Sequence, residues 1–521
     1  MNIQSNFTGP KIVIRKGTAP TLKSQPMRNL YICIILIILS LYSPNKGNAQ
    51  TWNLKESGTV LKGPAQEMLP LANGGLVTIT HSQPGKKGPM IISRFDSDLI
   101  EVYSVRLNLL SHERYEAAWF YNDTLLLFTI DPAGGLTRYK FDIDNGSLTG
   151  QPLPLTGLVG IDQPLKQANF YTGGSPDSGF HYIAATATNS FRGVLLDRHG
   201  DKIARFQHPL SSMSDPIACT QSNDGTLALI SAHFTVTTID SNGSSYSFHL
   251  SGLPDDRIHN ASWTMEGGTL CFSGWMSENG AAGLTTILTG CVDLGTGIVF
   301  GLHQTEVKTL LTKAPPKSPP ANLTFLRSLP MADGCRYLLF ESTGRHLYQN
   351  RFSPATQNPV SALGHSGAFT SLNPSTQAVS YQSRGDVYVL KLDAGGRPQW
   401  LNVLSKNQEE WNTISAIGVG TLLDREDRLH VFFYDNKRNN DPTAADVAPF
   451  RADDPQAGGF ACISVTPDGA TKKQFISPVD NRYRLMPGLV FVDNKDQACF
   501  LAVRDKAILS TQYKVGTIAL K

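Results

Sequence analysis

The stretch Asp386 to Leu404 reads DVYVLKLDAGGRPQWLNVL: one strand, VYVLKL, runs into Asp393-Ala394-Gly395-Gly396, and a second, PQWLNVL, leaves it. Val, Tyr, Leu and Trp favour extended backbone, and glycine in the turn takes positive φ at no steric cost. The same strand, turn and strand recur from Met90 (MIISRFDSDLIEVYSV), Thr137 (TRYKFDIDNGSLTG), Gly193 (GVLLDRHGDKIARF) and Thr235 (TVTTIDSNGSSYSFHL). A second kind of hairpin alternates with the first, as in MLPLANGGLVTIT from Met68, ACTQSNDGTLALIS from Ala218, ASWTMEGGTLCFSG from Ala261, SLPMADGCRYLLF from Ser328 and TLLDREDRLHVFF from Thr421. No segment in this region sustains an apolar stripe at helical spacing, so the pattern is all-β.

Two alternating hairpins make a repeating unit of four strands, A to D, with short A-B and C-D turns. The A-B turns fall near residues 73, 122, 177, 223, 266, 333, 374, 424 and 493. This spacing predicts a single β-propeller of four-stranded antiparallel blades, eight or nine in number, over residues 50–521, because blades that pack on their neighbours leave only short edges. A stack of separate sandwiches has the same strand content, but the even spacing favours blades. Thr51 to Lys55 is the expected closing strand beside the last unit, Leu485 to Lys521, with Thr517 to Leu520 as the alternative. The unit Lys391-Leu392-Asp393-Ala394-Gly395-Gly396 with Trp400 resembles the bacterial secreted β-propeller-repeat proteins, in which a strand closing in Lys-x-Asp-x-x-Gly precedes a Trp-bearing strand. That resemblance covers the fold, carries no catalytic motif, and implies extracytoplasmic binding or scaffolding.

Ahead of the repeats, Leu30 to Tyr42 (LYICIILIILSLY) is an apolar run preceded by Arg28 and followed by Gly47-Asn48-Ala49. It has the outline of a signal peptide and is shorter than the ~20 residues a spanning helix needs. Residues 1–49 therefore read as an upstream overhang before Met27 and a signal peptide, cut after Ala49, with no stable membrane insertion afterwards. The chain's formal charge is +3, but residues 1–49 hold six basic and no acidic groups, so the remainder has 40 basic against 43 acidic residues and a charge of −3. Such a surface lacks the basic excess that displaces phosphate counterions, which argues against nucleic acid. The expected compartment is periplasmic or extracellular.

In this architecture D-A and B-C connections share one face, and A-B and C-D turns the other. Both long interruptions, Lys308 to Asn322 and Asn436 to Gly459, belong to the first class, as does Pro84 to Gly88, and are expected to project from it. The D-A connections bring Arg114, Tyr115, Arg257, Trp411, Arg482 and Tyr483 toward one channel mouth, a mixture suited to a polar ligand such as a glycan or peptide, or to a protein partner. The competing reading is that polar residues merely solvate loops. A glycan hydrolase is the alternative function, with Asp255 and Glu409 as the carboxyl pair such chemistry requires. No Ser-x-Asp-x-Gly-x-x-Trp box, G-x-S-x-G elbow or paired-histidine zinc motif is present, and no cofactor or metal is expected. Of the six cysteines beyond residue 49, Cys271 and Cys291 form the one pair with a geometric argument, provided strands B and C of their unit turn near Asn279 to Ala282.

Expression from Met27 is expected to give an exported product beginning at Gln50. N-terminal sequencing reads this directly, and a product retaining Leu30 to Tyr42 in the membrane would refute it.

Overall fold

The computed structural model describes residues 54–57, 61, 65–71, 74–81, 89–109, 113–131, 133–157, 170–187, 190–209, 218–231, 234–251, 253, 258–277, 283–312, 322–350, 377–409, 418–440, 458–476, 484–492, 497–504 and 512–519. These form a single β-propeller of four-stranded antiparallel blades. Seven blades are built from consecutive strands, within 65–107, 114–157, 170–209, 218–249, 258–306, 323–404 and 420–476, and are numbered 1 to 7. An eighth sheet is composite: strands Arg484–Val492, Gln497–Arg504 and Gln512–Ala519 supply A to C, and Leu54–Glu56 supplies D.

The expected count of eight or nine blades is thus corrected to seven of consecutive strands, closed by the composite sheet. The turn expected near residue 374 belongs to no A-B hairpin; Arg336–Asn350 and Gln377–Leu392 are the B and C strands of blade 6, paired continuously from Arg336↔Leu392 to Asn350↔Gln377. Residues 351–376, in which that turn was expected, lie outside the described residues.

Each B strand is buried on both faces, which explains its unbroken apolar sequence. In Thr124–Ile130, Leu125 and Leu127 pack toward blade 1 with Val77, Ile79 and Ile92, while Leu126, Phe128 and Ile130 pack toward blade 3 with Ile183, Ala185 and Val194. Side chains alternate across a strand, so one strand feeds two cores. A hydrophobic cluster of this kind occupies every boundary around the ring, including blade 7 to the composite sheet (Phe432, Phe460, Leu485, Phe500) and the composite sheet to blade 1 (Leu501, Val515, Met68, Phe95). A strands of adjacent blades neighbour one another from blade 3 through blade 6 and from blade 7 through the composite sheet to blade 1, which puts this edge of the blades innermost.

Closure follows the expected route, with the strand displaced slightly from Thr51 to Lys55: Leu54 pairs with Ile518, Lys55 with Thr517 and Glu56 with Gly516. Ser57 N and Leu61 N continue the pairing to Val515 O and Tyr513 O, each at 2.8 Å. C-D turns use a recurring Asp. Asp240 Oδ1 accepts the backbone N–H groups of Asn242 and Ser244 at 2.9 and 2.8 Å, and Gly243 at φ 83° completes the turn. Asp96, Asp197 and Asp393 act in the same way. Cations tie blades together at this level, Arg94 reaching Asp144 at 3.0 Å and Lys391 reaching Pro467 O at 3.0 Å.

Cys271 and Cys291 stand directly opposite each other in blade 5 and form a disulfide. One loop expectation needs correction. After the short helix Val307–Leu310, Leu311 and Thr312 do not project from the D-A/B-C face: Leu311 bridges Leu401 in the outer strand of blade 6, and Thr312 lies beside the Gly469 turn of blade 7. The apolar Leu310 and Leu311 draw this segment onto the blade 5–6 core. The Pro run 313–320 and Pro84 to Gly88 lie outside the described residues. The Asn436 to Gly459 connection does leave between B and C strands, starting with the 3-10 turn Lys437–Asn440.

Deletion of residues 50–56 is expected to lower the unfolding temperature by removing the outer strand of the composite sheet; an unchanged thermal transition would reject this closure. Phe340→Ala, at a fully buried site packed on Trp275, is expected to cost about 3 to 5 kcal/mol in denaturant unfolding.

Candidate functional site

Of the residues expected at the channel mouth, Arg114 and Tyr115 are described, at the start of the A strand Arg114–Tyr121 of blade 2. Arg257, Trp411, Arg482, Tyr483 and Asp255 lie outside the described residues, and Glu409 is described only in its backbone, which pairs with Ser383. The described residues therefore show the surroundings of Arg114 and Tyr115 alone.

There, three innermost strands meet. The Tyr115 hydroxyl donates to Glu67 Oε2 at 2.7 Å, linking blade 2 to the A strand Ala65–Pro70 of blade 1. Arg114 Nη2 lies 3.3 Å from Glu116 Oε2, and its guanidinium carbon stands 4.1 Å from the centre of the Phe170 ring, at the start of blade 3's A strand Phe170–Gly174. The Arg114 side chain is 44% exposed, while that of Glu116 is 11% exposed, so the cation faces solvent and its carboxylate sits behind it. Glu113, just ahead of the strand, accepts the Tyr139 hydroxyl at 2.7 Å.

Burial raises Glu67 above its usual value, opposed by the Tyr115 hydrogen bond, and burial raises Glu116, opposed by Arg114. Burial also raises the Tyr115 phenol, reinforced by Glu67, so it serves as a hydrogen-bond donor. Glu67, Glu116 and Phe170 were missed from sequence. Each sits on a strand, where charge or aromaticity looks like ordinary alternation; Glu116 meets Arg114 two residues along the same strand, and only the register between blades brings in Glu67 and Phe170.

A second polar cluster sits between blades 6 and 7, where the D-A connection departs. Lys406 and Glu341 are both fully buried and form an ion pair; Arg384 Nη1 holds the other Glu341 oxygen at 2.6 Å. Lys406 also donates to Gln408 Oε1 at 3.1 Å, which accepts Gly418 N at 3.2 Å as well, while Gln408 Nε2 donates to Tyr434 O at 2.8 Å. Burial pushes the Lys406 ammonium down, and Glu341 counters it. Gln408 thus ties together the two ends of the connection that contains Trp411.

Blade 7 also contains a serine-histidine-aspartate chain: His430 Nε2 lies 2.9 Å from Asp424 Oδ2, and Ser464 Oγ lies 3.0 Å from His430 Nδ1. His430 is buried, and burial holds its imidazole below the usual value. A neutral ring donating to Asp424 and accepting from Ser464 fits this geometry. Asp424 also accepts Arg428 N and Glu426 N, so the network braces the A-B turn against strands B and C. Among the described residues no group of His, Cys, Asp and Glu is arranged to hold a metal ion, and no helix is long and apolar enough to cross a membrane.

No protein-family model matches the chain, and no curated protein matches it. Among solved structures it is similar to the WD40 domain of SCAP from fission yeast, at 8% identity over 90% of this chain and 98% of that one, with a TM-score of 0.42. Others are a prolyl endopeptidase (10% identity, 93% and 61% coverage, TM-score 0.36) and a mutant puromycin hydrolase complexed with PGG (10%, 85% and 59%, TM-score 0.38). The chain spans about three fifths of each of these two enzymes' length. The strand pairing above, and not these similarities, carries the fold.

Two tests follow from the clusters. A carboxyl raised on folding contributes stability that is present below the unfolded value and lost as pH rises through the folded one. Glu67→Gln, which keeps an acceptor for Tyr115, is expected to flatten the fall in stability as pH rises above ~4.3, measured by denaturant unfolding across pH. Glu341→Gln leaves Lys406 buried without its full counter-charge and is expected to cost about 3 to 5 kcal/mol.

Proposed function

We propose that this chain is an exported binding scaffold that recognises a polar ligand, glycan or peptide, or a protein partner through its D-A/B-C face. The observation that carries this reading is the difference between the two faces. On the tight-turn face, Asp96, Asp197, Asp240 and Asp393 direct Oδ1 at backbone N–H groups of their own turns, so these carboxylates serve to hold short, uniform turns. On the other face stand the half-exposed Arg114, the buried clamp that ties the ends of the Trp411 connection, and the long B-C hairpin of blade 6. Recognition residues commonly sit on loops held by a rigid scaffold.

Export is supported by the short apolar run before a small-residue site and by the Cys271–Cys291 disulfide, which suits an oxidising compartment.

A glycan and peptide array on the protein lacking residues 1–49 tests the reading. Trp411→Ala or Arg257→Ala is expected to weaken binding by about 1 to 3 kcal/mol with the fold intact. Asp144→Ala and Asp240→Ala, at turns on the opposite face, should leave affinity unchanged. Binding that maps to those turns would refute the proposal, and turnover abolished by Glu409→Gln and Asp255→Asn would replace it with a hydrolase.

A further inference from the structure

The corner where blades 1, 2 and 3 meet has a property that selects among polar ligands. Guanidinium carries five N–H donors in a planar fork. Among the described residues, that of Arg114 pairs with Glu116 through one nitrogen, at 3.3 Å, and the side chain is 44% exposed. Its direction is fixed from beneath by Phe170. The nearby acidic groups compete weakly for it: Glu67 is engaged by the Tyr115 hydroxyl, and burial favours the neutral form of both Glu67 and Glu116. What the corner offers is a pre-positioned positive fork.

Resting on the binding reading above, we propose that Arg114 is the anion-recognition residue of the D-A/B-C face and that it takes a carboxylate of an acidic peptide. A planar fork matches a carboxylate in two parallel hydrogen bonds. Peptide is favoured over acidic sugar because sugar recognition draws on open aromatic faces, and the described rings beside Arg114, those of Tyr115, Phe170 and Tyr171, pack against blade cores. One face of Phe170 is covered by Arg114, and the ring packs against the blade 2–3 core. Tyr115 packs against the blade 1–2 core, and Tyr171 against that of blades 3 and 4.

The test titrates a labelled oligoglutamate peptide, its oligoglutamine counterpart and an oligogalacturonate against the protein lacking residues 1–49 and its Arg114→Gln, Arg114→Lys, Trp411→Ala and Asp144→Ala variants. Oligoglutamate is expected to bind in preference to oligoglutamine and to weaken as salt rises. Arg114→Gln should reduce its affinity about ten- to a hundredfold with an unchanged unfolding temperature, and Arg114→Lys should restore part of the loss. Absence of oligoglutamate binding, or binding indifferent to Arg114, overturns the proposal. If oligogalacturonate binds instead through Arg114, the peptide class is wrong but the loop-face reading stands. Loss on Trp411→Ala without loss on Arg114→Gln likewise sinks this inference alone, whereas sensitivity only to Asp144→Ala sinks both.

Discussion

Everything in this ring depends on burial of each blade's two faces against its two neighbours. An isolated four-stranded sheet with the sequence of blade 2 would leave both Leu125 and Leu127 on one face and Leu126, Phe128 and Ile130 on the other in water. Only a neighbour on each side removes both sets, and only a closed ring gives every blade two neighbours. Inter-blade cations such as Arg138, with its partner Asp201 in the next blade, then fix the relative height of blades that hydrophobic packing alone would allow to slide. The polar corner at Arg114 inherits this rigidity, since each of its members stands on a strand whose reverse side is locked into a core.

Much of this was legible in the sequence because propeller turns have strong local chemistry. The Asp-x-x-Gly pattern at Asp197, Asp240 and Asp393 marks places where a carboxylate accepts backbone N–H groups of its own turn and glycine adopts the left-handed region, and such requirements show in the residues themselves. The closing strand was readable for a related reason: a short apolar-polar segment ahead of the first unit has no hairpin partner of its own. The cross-strand pairing of Cys271 and Cys291 followed from placing one turn correctly.

The extra unit near residue 374 shows where this reasoning fails. Polar and β-prone residues fill both the turns and the long blade 6 hairpin, so spacing could not tell a boundary from an extension; the pairing of Tyr348 with Val379 decides it. The site was less readable still. Arg114 and Tyr115 were found because they follow a loop, but their partners Glu67 and Phe170 lie 47 and 56 residues from Arg114 and become neighbours only once blades 1, 2 and 3 are in register. Lys406 carries no signal of its own in the sequence, since its burial arises from packing between two blades.

The composite sheet imposes an order of events on biosynthesis. Leu54 to Glu56 emerges first, yet its partner strand, Gln512–Ala519, is made some 458 residues later, the separation spanned by the Ser57 to Val515 contact. At roughly 5 to 20 residues per second, that is a wait of about half a minute to a minute and a half. During this interval the partial ring has an open apolar flank on blade 1, where Met68 and Phe95 await Leu501 and Val515. Closure therefore depends on keeping that flank from other apolar surfaces until the last strands are made.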